Sequence, residues 1–152
     1  MKKLIVLFVL LLPNLLFGQI KVLDVGDGWK NKVELALQVV KKYDQEKYNK
    51  LVTYCKEVGF WNGKYSTTEG DKIILSRIEL NNKSINNIAC TLVHESRHIM
   101  LEKSGTKWDE NFQEFMCYDY ELNFALKIPN IENWLLDHVK MMRNNYAKII
   151  SS

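Results

Sequence analysis

Between Ser84 and Gly105 the small and apolar residues follow an unbroken helical period. Ile85, Ile88, Ala89, Leu92, Ser96 and Ile99 recur at spacings of three and four, the pattern of a helix with one face turned inward. Ser84 is a natural N-cap, because its hydroxyl can accept from a free N–H of the first turn, and Gly105 suits the stop. A helix this long cannot bury its stripe against itself, so the rest of the chain must pack around it. The chain has 152 residues, 47% of them hydrophobic and 26% charged, which supports one core and one domain.

The flanking segments supply that packing. Lys30 to Val58 reads as largely helical. Val33, Leu37, Val40 and Tyr43 share a face, Asp44 divides the segment, and Leu51, Tyr54, Cys55 and Val58 resume it before Gly59. Phe60-Trp61, Asn62-Gly63 and Lys64–Thr67 predict a small hairpin, since Asn-Gly tolerates the positive φ of a tight turn. Lys72–Ile78 is rich in β-branched and apolar residues and predicts a strand. Thr106 and Asp109 open a further helix that runs to about Lys127, and Pro129-Asn130 break it. Ile131–Ile149 forms a last amphipathic helix with Trp134, Leu135, His138, Met141 and Met142 on one side. The expected class is α+β, helix-dominated, with a small antiparallel sheet.

The first residues stand apart from this plan. Lys2 and Lys3 precede an uninterrupted apolar run from Leu4 to Leu12, and Phe17-Gly18 ends in a small residue suited to cleavage. Residues 1–18 therefore read as a signal peptide and residues 19–152 as the mature domain, exported to a periplasm or secreted. The run is shorter than the ~20 residues a membrane span needs, so no stable membrane insertion is expected after cleavage. Loss of the two lysines lowers the formal charge from +3 to +1, too little to argue for nucleic acid as a partner. Cys55, Cys90 and Cys117 are odd in number, which fits one bridge and one free thiol, or three buried thiols. No C-x-x-C spacing is present, so a cysteine zinc ribbon is not supported.

The chain has three histidines, and two of them fall in His94-Glu95-Ser96-Arg97-His98 on the central helix. Residues four apart lie one turn apart on the same face, so both imidazoles can reach one ion. Zn2+ accepts imidazole nitrogen well. Glu95 leaves the helix from the adjacent surface and can take a proton from a water beside the ion without ligating it. Catalytic zinc sites use three protein ligands, and the third is expected from the next helix. In an antiparallel hairpin turning at residues 105–106, Glu114 is the carboxylate nearest the level of His98. Glu110 would face Leu101, and Glu121 would face Cys90, each about a turn or more away. Glu110 and Glu102 stay open as alternative ligands. Tyr118, Tyr120 and His138 are candidate donors to a developing oxyanion, although packing roles suit them better. A place in the core is the simpler expectation for His138, and a solvent-facing or ion-paired place for Arg97.

His94-Glu95-x-x-His98, followed on a second helix by Glu114-Phe115-Met116-Cys117, resembles the zincin metallopeptidases. Within them it is similar to the glutamate-liganded, gluzincin-type branch, where a small residue stands three positions after the glutamate. The likeness covers roughly residues 72–121. It implies a minimal zincin fold around an HExxH active-site helix, with Zn2+ held by His94, His98 and Glu114 and with Glu95 catalytic. It also implies a peptide or protein substrate paired along Lys72–Ile78 as the edge strand. In thermolysin-like members an acidic residue one turn after the ligand glutamate orients a zinc histidine. Here Tyr118 stands at that place, and Asp119, Glu121 or a backbone carbonyl could serve instead. The expected activity is that of an exported, monomeric zinc-dependent peptidase. The alternative is a non-catalytic binding or interaction protein on the same scaffold, since 134 mature residues leave little chain for a second lobe.

Overall fold

A computed structural model describes residues 19–80 and 84–152. The signal-peptide expectation for residues 1–18 lies outside the described residues. In chain order the elements are β1 (Lys21–Val22), α1 (Trp29–Tyr43), α2 (Gln45–Tyr54), β2 (Glu57–Trp61), β3 (Thr67–Glu69) and β4 (Lys72–Ser76), then α3 (Arg77–Leu80), α4 (Ile85–Lys103), α5 (Glu110–Ala125) and α6 (Asn133–Ile149). The class is α+β with helix dominant. Among the described residues, no helix is long and apolar enough to cross a membrane.

Local chemistry sets several boundaries. Asp44 separates α1 from α2 because its carboxylate accepts from Lys47 N at 3.1 Å and caps the second helix. The same side chain, only 5% exposed, accepts from Lys127 Nζ at 2.7 Å, tying the α1–α2 elbow to the end of α5. Ser84 accepts from Asn87 N and caps α4, and Asp109 accepts from Asn111 N and Phe112 N and caps α5. Gly105 ends the α4 hairpin with a φ of 72°.

The sheet corrects the expectation of an antiparallel one. Its order is β1-β2-β4-β3, with β1, β2 and β4 parallel and β3 antiparallel to β4. The predicted helix end at Val58-Gly59 is the middle of β2, pairing with Ile73 and Ile74. The predicted Asn62-Gly63 hairpin is a bend instead. There the Trp61 ring folds over Gly63, where a Cβ would lie 2.3 Å from the ring, and Trp61 Nε1 donates to Tyr65 O at 2.9 Å. The true hairpin joins β3 to β4 through Gly70-Asp71, Gly70 taking a φ of 61° and Glu69 facing Lys72. Consequently Lys72–Ile78 is not an edge strand. Its strand part, β4, lies between β2 and β3, and the edges are β3 and β1.

α4 runs through the centre of the molecule, packed against α1, α2, α5, β3 and β4. Ile88, Ala89, Leu92 and Ile99 are fully buried as the stripe requires, but so are Cys90 and Val93 on other faces. A helix enclosed on nearly every side has few places for polar residues. The motif residues occupy one of them.

Candidate metal centre

α4 carries His94, Glu95 and His98 into the base of a cleft of about 870 Å3. α5 brings Glu114 to the same spot, and α6 and the β3 edge form the opposing walls. The two imidazoles face each other, with 3.3 Å between their Nε2 atoms. Glu114 lies across both, its oxygens 3.5 Å from His94 Nε2 and 3.2 Å from His98 Nε2. Ligands bonded at 2.0–2.1 Å to one tetrahedral ion stand about 3.3–3.4 Å apart. The distance between the imidazoles and the approach of one Glu114 oxygen to each ring fall near that spacing, so the donor groups fit zinc. Glu110 lines the cleft, and the hairpin registry brings Glu114, not Glu110, onto the imidazoles.

Of Asp119, Glu121 and a backbone carbonyl, the acceptors expected from sequence, Glu121 is the one that reaches a motif histidine. Its Oε2 lies 3.0 Å from His94 Nδ1, and the pair is buried. A carboxylate on the far nitrogen fixes the ring and directs Nε2 at Glu114. The signal was present in the spacing, since Glu114 and Glu121 are seven residues apart and share a face of α5. Asp119, the rival for this role, pairs with Arg143 at 3.1 Å instead.

The charges follow from the contacts. Burial opposes a charged His94, but hydrogen bonds with Glu114 and Glu121 outweigh it and push its pKa up to about 10. Burial likewise opposes ionised Glu114, yet hydrogen bonds with His94 and His98 hold its pKa down to about 2. Two carboxylates thus draw positive charge onto the His94 imidazole, beside the place a cation would take. Glu95 behaves differently. It is 8% exposed, and burial raises its pKa despite the nearby imidazoles. No ion pair or hydrogen bond of its carboxylate is formed with the described residues.

Cys117 adds a fourth donor residue and a third donor type, its sulfur within 4.8 Å of donor atoms of His94 and His98. The thiol is fully buried, and burial pushes its pKa up, which keeps it protonated in the absence of an ion. Cys55 and Cys90 are free and buried as well.

The oxyanion candidates separate in space. Tyr120 lies on the other side of α5, its ring beneath Lys47 Nζ at 3.7 Å and its hydroxyl buried without a partner. Tyr118 packs edge-on to His94 at 4.4 Å between centroids. His138 is not a core residue, because it is exposed and lines the cleft with Trp134 and Tyr146. Its place on α6 facing α4 could not be read from one helix's periodicity. Arg97 neither faces open solvent nor forms an ion pair among the described residues, and its guanidinium lies 5.4 Å over the Tyr120 ring.

Comparison of the chain with protein-family models, with curated proteins and with solved structures found no match.

Proposed function

We propose that this chain is a zinc-dependent peptidase of zincin type, with His94, His98 and Glu114 holding the ion and Glu95 as general base. The observation that carries this is the convergence of three donor groups at the base of an open cleft, the two Nε2 atoms 3.3 Å apart and the two Glu114 oxygens 3.5 Å from one and 3.2 Å from the other. When bound, zinc supplies a Lewis acid that polarises a carbonyl and makes water acidic near neutral pH. The chain's own residues do the rest. Glu95 accepts the proton of the attacking water at its buried carboxylate and returns it to the leaving amine. Its raised pKa suits a group that must hold a proton between those two events. Glu121 keeps His94 oriented throughout. The outer edge of β3, Thr67–Glu69, takes the role expected of Lys72–Ile78: its backbone can pair with an extended peptide over the cleft. The signal peptide proposed for residues 1–18 places this activity outside the cytoplasm, in a periplasm or secreted.

Purified without a histidine tag, the protein is expected to hold about one zinc per chain. Glu114→Ala should weaken zinc binding. Absence of metal, with no uptake on adding zinc, overturns the proposal. A second reading, a non-catalytic binding protein on the same scaffold, is favoured by Cys117. A thiolate as fourth ligand would close the ion to substrate, as in structural zinc sites. Cobalt substitution separates the two: a sulfur-to-cobalt charge-transfer band supports the closed site. Its absence, with cleavage of a mixed peptide library, supports the peptidase.

A further inference from the structure

We propose that the cleft selects peptide segments with a positively charged side chain beside the bond at the metal centre, and that Glu110 is the anchor for that charge. This rests on the peptidase proposed for the same cleft. Charge on the walls is one-sided. Glu79, Glu95, Glu110, Glu114 and Glu121 all line the cleft, and no Lys or Arg does so among the described residues. The chain as a whole leans the other way, with 21 Lys and Arg against 18 Asp and Glu.

Three of these carboxylates are committed. Glu114 and Glu121 face the imidazoles, and Glu79 accepts from Ser66 N at 2.7 Å and Ser66 Oγ at 2.8 Å. Glu95 is 92% buried and points into the cleft without a protein partner among the described residues. Glu110 is exposed at the start of α5 and, among the described residues, forms no ion pair. A divalent ion offsets only two of the five negative charges.

The cleft suits a cation in a second way. Tyr65 and Trp134 line it with 61% and 53% of their surfaces exposed, and Tyr146, towards the end of α6, lines the wall nearest Glu110. Open aromatic faces attract ammonium and guanidinium groups through the ring quadrupole. Position follows from the helix. Glu110 is one turn before the ligand Glu114 on the same face, about 6 Å away. An extended peptide advances about 3.3 Å per residue, so the bound charge falls within two residues of the bond at the metal. A substrate's terminal carboxylate, by contrast, finds no Lys or Arg among the described cleft residues, so removal of C-terminal residues is not expected.

The test uses zinc-loaded protein carrying Glu95→Gln and three fluorescent peptides with neutral flanks and a central Lys, Gln or Glu. N-acetylation and C-amidation leave the side chain as the only charge. The Lys peptide should bind about tenfold tighter than the Gln peptide at low salt, and the Glu peptide weakest. Added salt should shrink the difference. Glu110→Gln should remove most of the Lys advantage and Glu110→Lys should invert it, with thermal melts confirming that both variants fold. Equal affinities, a preference for the Glu peptide, or no binding of any peptide overturns the charge selection. Selectivity that survives Glu110→Gln overturns Glu110 as the anchor. Wild-type zinc protein settles the underlying activity separately. If it binds the Lys peptide but leaves it intact, the selection stands and the peptidase falls. If it cleaves all three equally, the peptidase stands and the selection falls.

Discussion

Asp44 and Glu95 are both carboxylates at helix positions, 5% and 8% exposed, and they live in opposite circumstances. Asp44 has Lys127 Nζ at 2.7 Å, Lys47 Nζ at 3.8 Å and a backbone N–H at 3.1 Å. Burial opposes its charge, but these contacts prevail and lower its pKa. Glu95 has the same burial and none of the contacts, so its pKa rises. The first carboxylate is a pin between elements. The second is a cost to the folded state, and such a cost persists where a group has work to do on something outside the chain.

Substitutions can break or sharpen this contrast. The largest effect is expected from Glu95→Gln, which should lower peptide hydrolysis by about 10²–10⁴-fold while zinc content stays near that of wild type. Retained hydrolysis would remove Glu95 from the chemistry. Next is Glu121→Gln, which loosens the ring of His94 and should weaken zinc binding by about 10–100-fold in a chelator competition. Asp44→Asn removes the charge from the pin and should destabilise the protein by about 2 kcal/mol in urea unfolding. The same chemical change at Glu95 should have the opposite sign, stabilising the metal-free protein by about 1 kcal/mol. If both variants shift in one direction, the contrast is wrong.

The smallest effect is in pH dependence. Because the folded pKa of Asp44 is lowered, its stabilisation is present above the usual carboxylate range and is lost as pH falls through the lowered value. The gap between wild type and Asp44→Asn should therefore close below about pH 4. For Glu95, with a raised folded pKa, the sign reverses. Its favourable contribution is complete below the usual carboxylate range and disappears as pH rises through the raised value. Glu95→Gln should flatten that fall in stability with rising pH in unfolding experiments on the metal-free protein.

What the sequence made legible was local. The α4 period, its Ser84 cap and the one-turn spacing of His94 and His98 depend on neighbours within a few residues, and all appear in the structure. The hairpin registry from Gly105 reached one step further and placed Glu114 correctly between the imidazoles. It could not choose Glu121 over Asp119 or a backbone carbonyl as the partner of His94, because an estimated crossing point accumulates error with distance from the turn. The sheet was misread for a related reason. β2 pairs with β4 across an inserted β3, and no local pattern distinguishes that from a hairpin at Asn62-Gly63. Gly59 looked like a helix stop, yet it pairs with Ile74 inside the sheet.

The enclosed position of α4 has a consequence for time as well as for shape. Backbone amides of a helix packed against α1, α2, α5, β3 and β4 exchange with solvent only when the whole domain opens. The segment 62–66, by contrast, holds one rim of the cleft outside regular structure, tied by side chains such as Glu79 and Ser76 and not by a helix or sheet ladder. Deuterium uptake should therefore be slowest across His94–His98 and fast across 62–66. Any ligand would then meet a rim that adjusts sooner than the floor, while the donors beneath keep their spacing for the lifetime of the fold.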